Sequence, residues 1–105
     1  MRVVALEIPD VLLVHPKRHG DARGFFSETW TRRDMEAAGL AVDWLQDNHA
    51  ASRDRGVVRG LHCQVGAAAQ TKLLRVVRGS IFDVAVDVRR SSPTYGRFVS
   101  AVIDA

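Results

Sequence analysis

Between Val57 and Gln64 the sequence reads Val-Val-Arg-Gly-Leu-His-Cys-Gln, which sets a permanent cation, a glycine and an imidazole inside an otherwise apolar run. An unpaired charge is expensive to bury, so Arg59 and His62 in such a run point to a polar cavity. An imidazole titrates near neutral pH and can accept a carbon-bound proton, which makes His62 the candidate general base. Lys72, in the run Gln70-Thr71-Lys72-Leu73-Leu74, is the candidate for stabilising developing oxyanion charge. Two plainer readings stand beside these: a hydrogen-bonded structural histidine, and a lysine guarding a strand edge. A regular strand sends Arg59 and His62 to opposite faces, so Gly60 is expected to supply a bulge that re-aims one of them. The polar residues from Arg23 to Glu28, Gln46, Asn48 and Gln70 are expected to serve the same cavity.

The elements that must position these residues are mostly strands. Val3 to Ile8 and Val11 to His15 are short apolar runs broken by Pro9-Asp10, which is turn chemistry. Lys17 to Gly24 is polar and reads as a loop before the aromatic strand Phe25 to Trp30. Thr31 has the chemistry of an N-cap and Gly39 that of a stop, so Arg32 to Ala38 is the one short helix. Val42 to Ser52 reads as extended chain, followed by a turn at Arg53 to Gly56 and the central strand. Gln70 to Arg78 and Ile81 to Val88 are strands separated by Gly79-Ser80, a tight-hairpin dipeptide. In the second, Phe82, Val84, Val86 and Val88 share one apolar face and Ile81, Asp83, Ala85 and Asp87 the other, so one face is expected to pack against a core and the other to meet water or a cavity. Phe98 to Ile103 is the last strand. Six to eight strands with one minor helix give an all-β sandwich or barrel.

At 105 residues the chain is a single domain, with 47% apolar and 26% charged residues and a net charge of +3. Thirteen arginines against two lysines favour an anionic partner. They are scattered, and no recognition helix, zinc finger or aromatic nucleic-acid motif accompanies them, so the expected anion is a small phosphorylated ligand rather than nucleic acid. Cys63 is the only cysteine, which excludes an internal disulfide and fits a reducing compartment. No apolar run approaches membrane length and the N-terminus has no leader-like run, so the expected location is cytoplasmic, away from the membrane. A metal is not expected: Cys63 and Gln64 follow His62, and His15, His19 and His49 lie in unrelated contexts.

Gly20-Asp21-Ala22-Arg23-Gly24-Phe25-Phe26-Ser27-Glu28, Gln46-Asp47-Asn48, Arg59-Gly60-Leu61-His62-Cys63-Gln64, Gln70-Thr71-Lys72-Leu73, Asp83 to Arg89 and Ser92-Pro93-Thr94-Tyr95-Gly96 occur in that order. Together they resemble the dTDP-4-dehydrorhamnose 3,5-epimerases. The resemblance implies a cupin-like double-stranded β-helix, a homodimer, no metal or cofactor, and epimerisation of a dTDP-4-keto-6-deoxyhexose beside its C4 ketone. It implies His62 as proton acceptor, Lys72 on the enolate and Asp83 as the group orienting His62. It further implies Arg23 and Arg59 on the diphosphate, Glu28, Gln46 and Asn48 at the nucleotide end, and Phe26 against thymine.

Two departures bear on that reading. Cys63 stands where the family commonly has an aromatic residue, and strand alternation directs it away from the base. The family's tyrosine acid and a further substrate-binding histidine lie beyond the motifs present, and Tyr95 belongs to a different one. The chain therefore resembles the N-terminal portion of an epimerase, with an incomplete barrel, and is expected to be inactive or nearly so alone. The rival readings are a non-catalytic dTDP-sugar-binding module, a sugar-nucleotide ketoisomerase of the same fold, and a metal-dependent cupin dioxygenase.

Overall fold

The structure, a computed structural model, describes residues 1–105 and divides into two compact units, Met1–Ala41 with Arg75–Ala105, and Val42–Leu74. The first unit holds every strand and the helix, in three antiparallel two-stranded sheets.

β1 (Arg2–Ala5) pairs with β2 (Leu12–His15) in a register running from Arg2↔His15 to Ala5↔Leu12. The Pro9-Asp10 turn closes the pair, with the Val11 N–H donating to the Ile8 carbonyl at 2.9 Å. Ile8, just before the turn, is 2% exposed.

β3 (Arg18–Asp21) and β4 (Gly24–Ser27) form a hairpin whose two-residue tip is Ala22-Arg23. Sequence reading places a loop at Lys17–Gly24. The difference has a physical cause: β3 carries no apolar face and becomes a strand only because β4 pairs with it. Gly24 takes a φ of +128° at the tip, a value L side chains rarely adopt. Arg18 lies over the Phe25 ring at 4.6 Å from its centroid.

The helix α1 (Arg32–Ala37) begins and ends where its capping chemistry places it. Thr31 accepts the Asp34 N–H on its Oγ1 at 3.2 Å, and Asp34 puts a negative charge in the first turn. Gly39, at φ +81°, and the Leu40 N–H donating to the Met35 carbonyl at 2.8 Å close the far end. Met35 anchors the helix at 2% exposure.

β5 (Ser80–Val86) and β6 (Phe98–Asp104) form the longest ladder, from Ser80↔Asp104 to Val86↔Phe98. Gly79 does not turn a tight hairpin back toward Gln70–Arg78; its carbonyl instead accepts the Ala105 N–H at 3.1 Å and extends the β5–β6 ladder. The two faces of this ribbon are covered unequally. Ile81, Asp83 and Ala85 lie opposite Ile103, Ala101 and Val99 on the more covered face, where Val99 is 8% exposed. Phe82, Val86, Phe98 and Val102 share the other face, with both phenylalanines about two-thirds exposed at 69% and 65%.

In the second unit Val57–Gln64 and Gln70–Leu74 join no ladder, and a single 3₁₀ turn at Gly66–Ala68 is its only regular element. The expected central strand is therefore not formed: the stretch pairs with no neighbour. Local composition favours extension, whereas a strand exists only where a neighbour supplies its hydrogen bonds. For the same reason Gly60 is not a bulge in a ladder.

Candidate active-site residues

Arg23, Phe26, Glu28 and Asp83 belong to the first unit; Gln46, Asn48, Arg59, His62 and Lys72 belong to the second.

In the first unit the tight β3–β4 tip lifts Arg23 into solvent, with its side chain 90% exposed. Asp21 holds it there. Its Oδ1 accepts the Arg23 backbone N–H at 2.8 Å and Nε at 3.1 Å, and its Oδ2 accepts Nη2 at 2.6 Å. This fork lowers the Asp21 carboxyl below its ordinary value and raises the Arg23 guanidinium above its own. Two of the five guanidinium N–H donors are thereby engaged, and Nη1 is left for another acceptor. Phe26, opposite His19, is 71% exposed and presents a free ring face. Glu28 is exposed just beyond β4, and its charge helps raise the Arg33 guanidinium after the larger effect of Asp34. Asp83 sits on the more covered face of the β5–β6 ribbon, opposite Ala101.

In the second unit the Gln46 Nε2 donates to the Asn48 Oδ1 at 3.0 Å, so two of the expected nucleotide-binding residues are already joined. Arg59 is fastened through neutral oxygens only: Nε donates to Ser52 Oγ at 3.3 Å and Nη2 to the Ala51 carbonyl at 3.1 Å. Its position is fixed while no carboxylate offsets its charge. His62 is exposed and folds back over Gly60. A Cβ on Gly60 would stand 2.7 Å from His62 Nδ1 and 3.1 Å from its backbone nitrogen, and Gly60 has a φ of +96°. Both facts demand glycine, so Gly60 positions His62 by a close approach rather than by the expected bulge. Cys63 and Lys72 are exposed. No group of three or more His, Cys, Asp or Glu side chains is placed to hold a metal ion.

The densest polar cluster is one to which sequence reading assigned no role. Asp87, whose side chain is 1% exposed, accepts Arg89 Nε at 2.9 Å and the Arg89 backbone N–H at 3.0 Å on Oδ1. On Oδ2 it accepts Arg89 Nη2, Ser92 Oγ and Thr94 Oγ1, the last at 2.6 Å. Arg89 Nη1 also reaches Asp10 in the β1–β2 turn. These bonds, those from Arg89 first, hold the Asp87 carboxyl far below the usual carboxylate range, and Asp87 in turn raises Arg89. The Asp87 N–H donates to the Arg97 carbonyl at 2.9 Å and the Gly96 N–H to the Asp87 carbonyl at 2.8 Å, so the cluster carries the β5–β6 register into the turn. Its signal in sequence was the Asp-Val-Arg run followed by Ser-Pro-Thr, hydroxyls spaced to fold back on a carboxylate. Tyr95 lies in the same turn, 57% exposed.

A family model described as dTDP-4-dehydrorhamnose 3,5-epimerase matches residues 5–105. Curated proteins of that name are 51% identical in Shigella flexneri and 50% identical in Pseudomonas aeruginosa, each over 106 aligned positions that cover all of this chain. The chain spans 58% of the length of each. A crystal structure of the Bacillus anthracis dTDP-4-dehydrorhamnose 3,5-epimerase, with TDP and pyrophosphate bound, superposes with a TM-score of 0.94 at 38% identity, covering 98% of this chain and 59% of that one. The Legionella pneumophila epimerase in complex with dTDP-4-keto-L-rhamnose superposes with a TM-score of 0.88 at 39% identity, covering 98% of this chain and 54% of that one. The all-β, cupin-like architecture expected from the sequence is the fold these neighbours share. The chain belongs to the dTDP-4-dehydrorhamnose 3,5-epimerase family.

Proposed function

We propose that these 105 residues supply the base side of a 3,5-epimerase acting on a dTDP-4-keto-6-deoxyhexose. His62 takes the proton alpha to the C4 ketone. The C–H electron pair passes into the ring as an enolate, whose oxygen Lys72 stabilises, and Asp83 orients the imidazole. Reprotonation from the opposite face completes inversion and needs an acid that none of the motifs here provides. Arg59 and Arg23 hold the diphosphate, Glu28, Gln46 and Asn48 the nucleotide end, and Phe26 the thymine. Arginine suits that task because its fork pairs with two phosphate oxygens at once. The chain acts as one domain, within a homodimer and in the cytoplasm, without metal or cofactor.

The observation that supports this reading most is Arg59. It is fixed by neutral oxygens three residues before His62, in a chain whose family match runs from residue 5 to 105. The test is solvent deuterium exchange into dTDP-4-keto-6-deoxyglucose, followed by NMR. The expected result is slow exchange beside the ketone with little net inversion. His62→Asn should slow that exchange by about 10²–10⁴-fold while dTDP still binds in calorimetry. Exchange that survives in the variant would overturn His62 as the base, and absence of dTDP binding would overturn the assignment of the anion residues.

A further inference from the structure

The β3–β4 hairpin carries two neighbouring phenylalanines, and strand alternation sends them to opposite faces. Phe25 already has an occupant, since the Arg18 guanidinium lies 4.6 Å from its ring centroid. Phe26, 71% exposed, has none. The register pairs Phe26 with His19, so phenyl and imidazole stand side by side on one face, with Cβ atoms about 5 Å apart. His19 is exposed, and no hydrogen bond or ion pair within the chain takes up its ring nitrogens.

Toward the hairpin tip the next pair is Asp21 and Gly24. Asp21 is engaged with Arg23. A Cβ on Gly24 would meet nothing within 4 Å, so the floor between the tip and Phe26 is open. Two residues of antiparallel strand, about 7 Å, separate this pair from His19 and Phe26. A deoxyribose sets a pyrimidine apart from its first phosphate by a comparable span. A thymidine nucleotide held by Arg23 at its diphosphate therefore brings its base over Phe26, and the imidazole meets that base at its edge rather than beneath it.

We propose that His19 is a base-recognition residue, its ring N–H donating to a carbonyl oxygen of the pyrimidine stacked on Phe26. The role rests on the functional reading in which Arg23 binds the diphosphate and Phe26 the thymine, and it assigns a residue outside the motifs that carry the family resemblance. The chemistry is matched: a neutral imidazole offers one N–H donor, and thymine presents two carbonyl oxygens. A cross-strand pair that served only to stabilise the hairpin would cover its rings against each other, whereas Phe26 keeps most of its surface open.

The test is calorimetry of the 105-residue chain with dTDP and with inorganic pyrophosphate, which lacks the base. The parent chain should bind dTDP more tightly than pyrophosphate. His19→Phe keeps a ring and removes the donor, so it should weaken dTDP by about three- to tenfold, the worth of one neutral hydrogen bond, and leave pyrophosphate unchanged. His19→Gln, which retains an N–H donor, should recover most of that loss. Phe26→Ala should weaken dTDP by about tenfold or more through lost stacking, again without effect on pyrophosphate. Unchanged dTDP affinity in His19→Phe, beside a loss in Phe26→Ala, overturns the role of His19 and leaves the functional reading standing. Equal losses on dTDP and pyrophosphate overturn it too, since His19 would then only hold the hairpin and Arg23 in place. A glutamine variant no better than the phenylalanine one overturns the hydrogen bond. A parent chain that binds dTDP no more tightly than pyrophosphate overturns the functional reading itself, and the role of His19 with it.

Discussion

Arg89 and Arg59 are both arginines in short polar stretches, and they are held in opposite ways. Arg89 spends all three guanidinium nitrogens on two carboxylates, Asp87 and Asp10. Arg59 spends two donors on a hydroxyl and a carbonyl. The first arrangement neutralises the charge and shields one partner from water; the second fixes the side chain and leaves the charge to act. An arginine whose charge is already matched serves architecture, and one positioned by neutral atoms is ready for an anion. Arg23 stands between them, matched by a single exposed carboxylate at a hairpin tip.

The sharpest way to break this contrast is Asp87→Ala. It leaves Arg89, Ser92 and Thr94 without their common acceptor, and the thermal midpoint should fall by about 10 °C or more, with loss of the β5–β6 ladder in amide exchange. The pH dependence has a definite sign. The folded Asp87 carboxyl lies below its ordinary 3.8, so its contribution is fully present above that value and is lost as pH falls through the folded value. Acid titration of the melting temperature should therefore show a decline below about pH 4 that disappears in Asp87→Asn. An unchanged acid limb in that variant counts against the cluster as architecture.

Gly60→Ala comes next. A Cβ 2.7 Å from His62 Nδ1 forces the imidazole aside, and displacement of a reacting group by about 1 Å costs on the order of 10²-fold in rate. Exchange into the keto sugar should fall by that factor, with dTDP affinity retained. Arg59→Ala should do the converse, weakening dTDP by about tenfold through lost charged hydrogen bonds, with the melting temperature nearly unchanged. The smallest effect belongs to Asp21→Asn. Removing the carboxylate that matches Arg23 should tighten dTDP about two- to threefold at low salt, an advantage that vanishes as ionic strength rises. Weaker binding instead would mean that Asp21 serves mainly to hold Arg23 in place.

Much of this was legible in the residues, and the gaps have physical causes. Thr31, Asp34 and Gly39 fix α1 by local chemistry, and the structure ends that helix within one residue of the sequence reading. The β5 alternation and the Phe98–Ile103 strand were equally local signals. β3 was missed because Arg18-His19-Gly20-Asp21 carries no apolar signal, and its strand character resides in β4. Val57–Gln64 erred in the other direction, since composition reports a tendency to extend and cannot report whether a neighbour is there to pair. Asp87 escaped because its five acceptor bonds depend on a chain reversal that brings Ser92 and Thr94 back to it. The candidate site residues rest on motifs and on the family resemblance, and the structure adds how His62 lies against Gly60 and how the Ala51 carbonyl and the Ser52 hydroxyl hold Arg59.

The burial of Met35 gives the first unit a built-in chemical clock. The chain has two methionines, Met1 at 36% exposure and Met35 at 2%. Peroxide converts an accessible thioether to the sulfoxide and reaches a sheltered one only when the surrounding structure opens. Met1 therefore records the intrinsic rate of the reagent, while Met35 records that rate multiplied by the fraction of time the helix is undocked. The ratio of the two sulfoxides, read by mass spectrometry, reports how often α1 leaves its seat without any label or substitution.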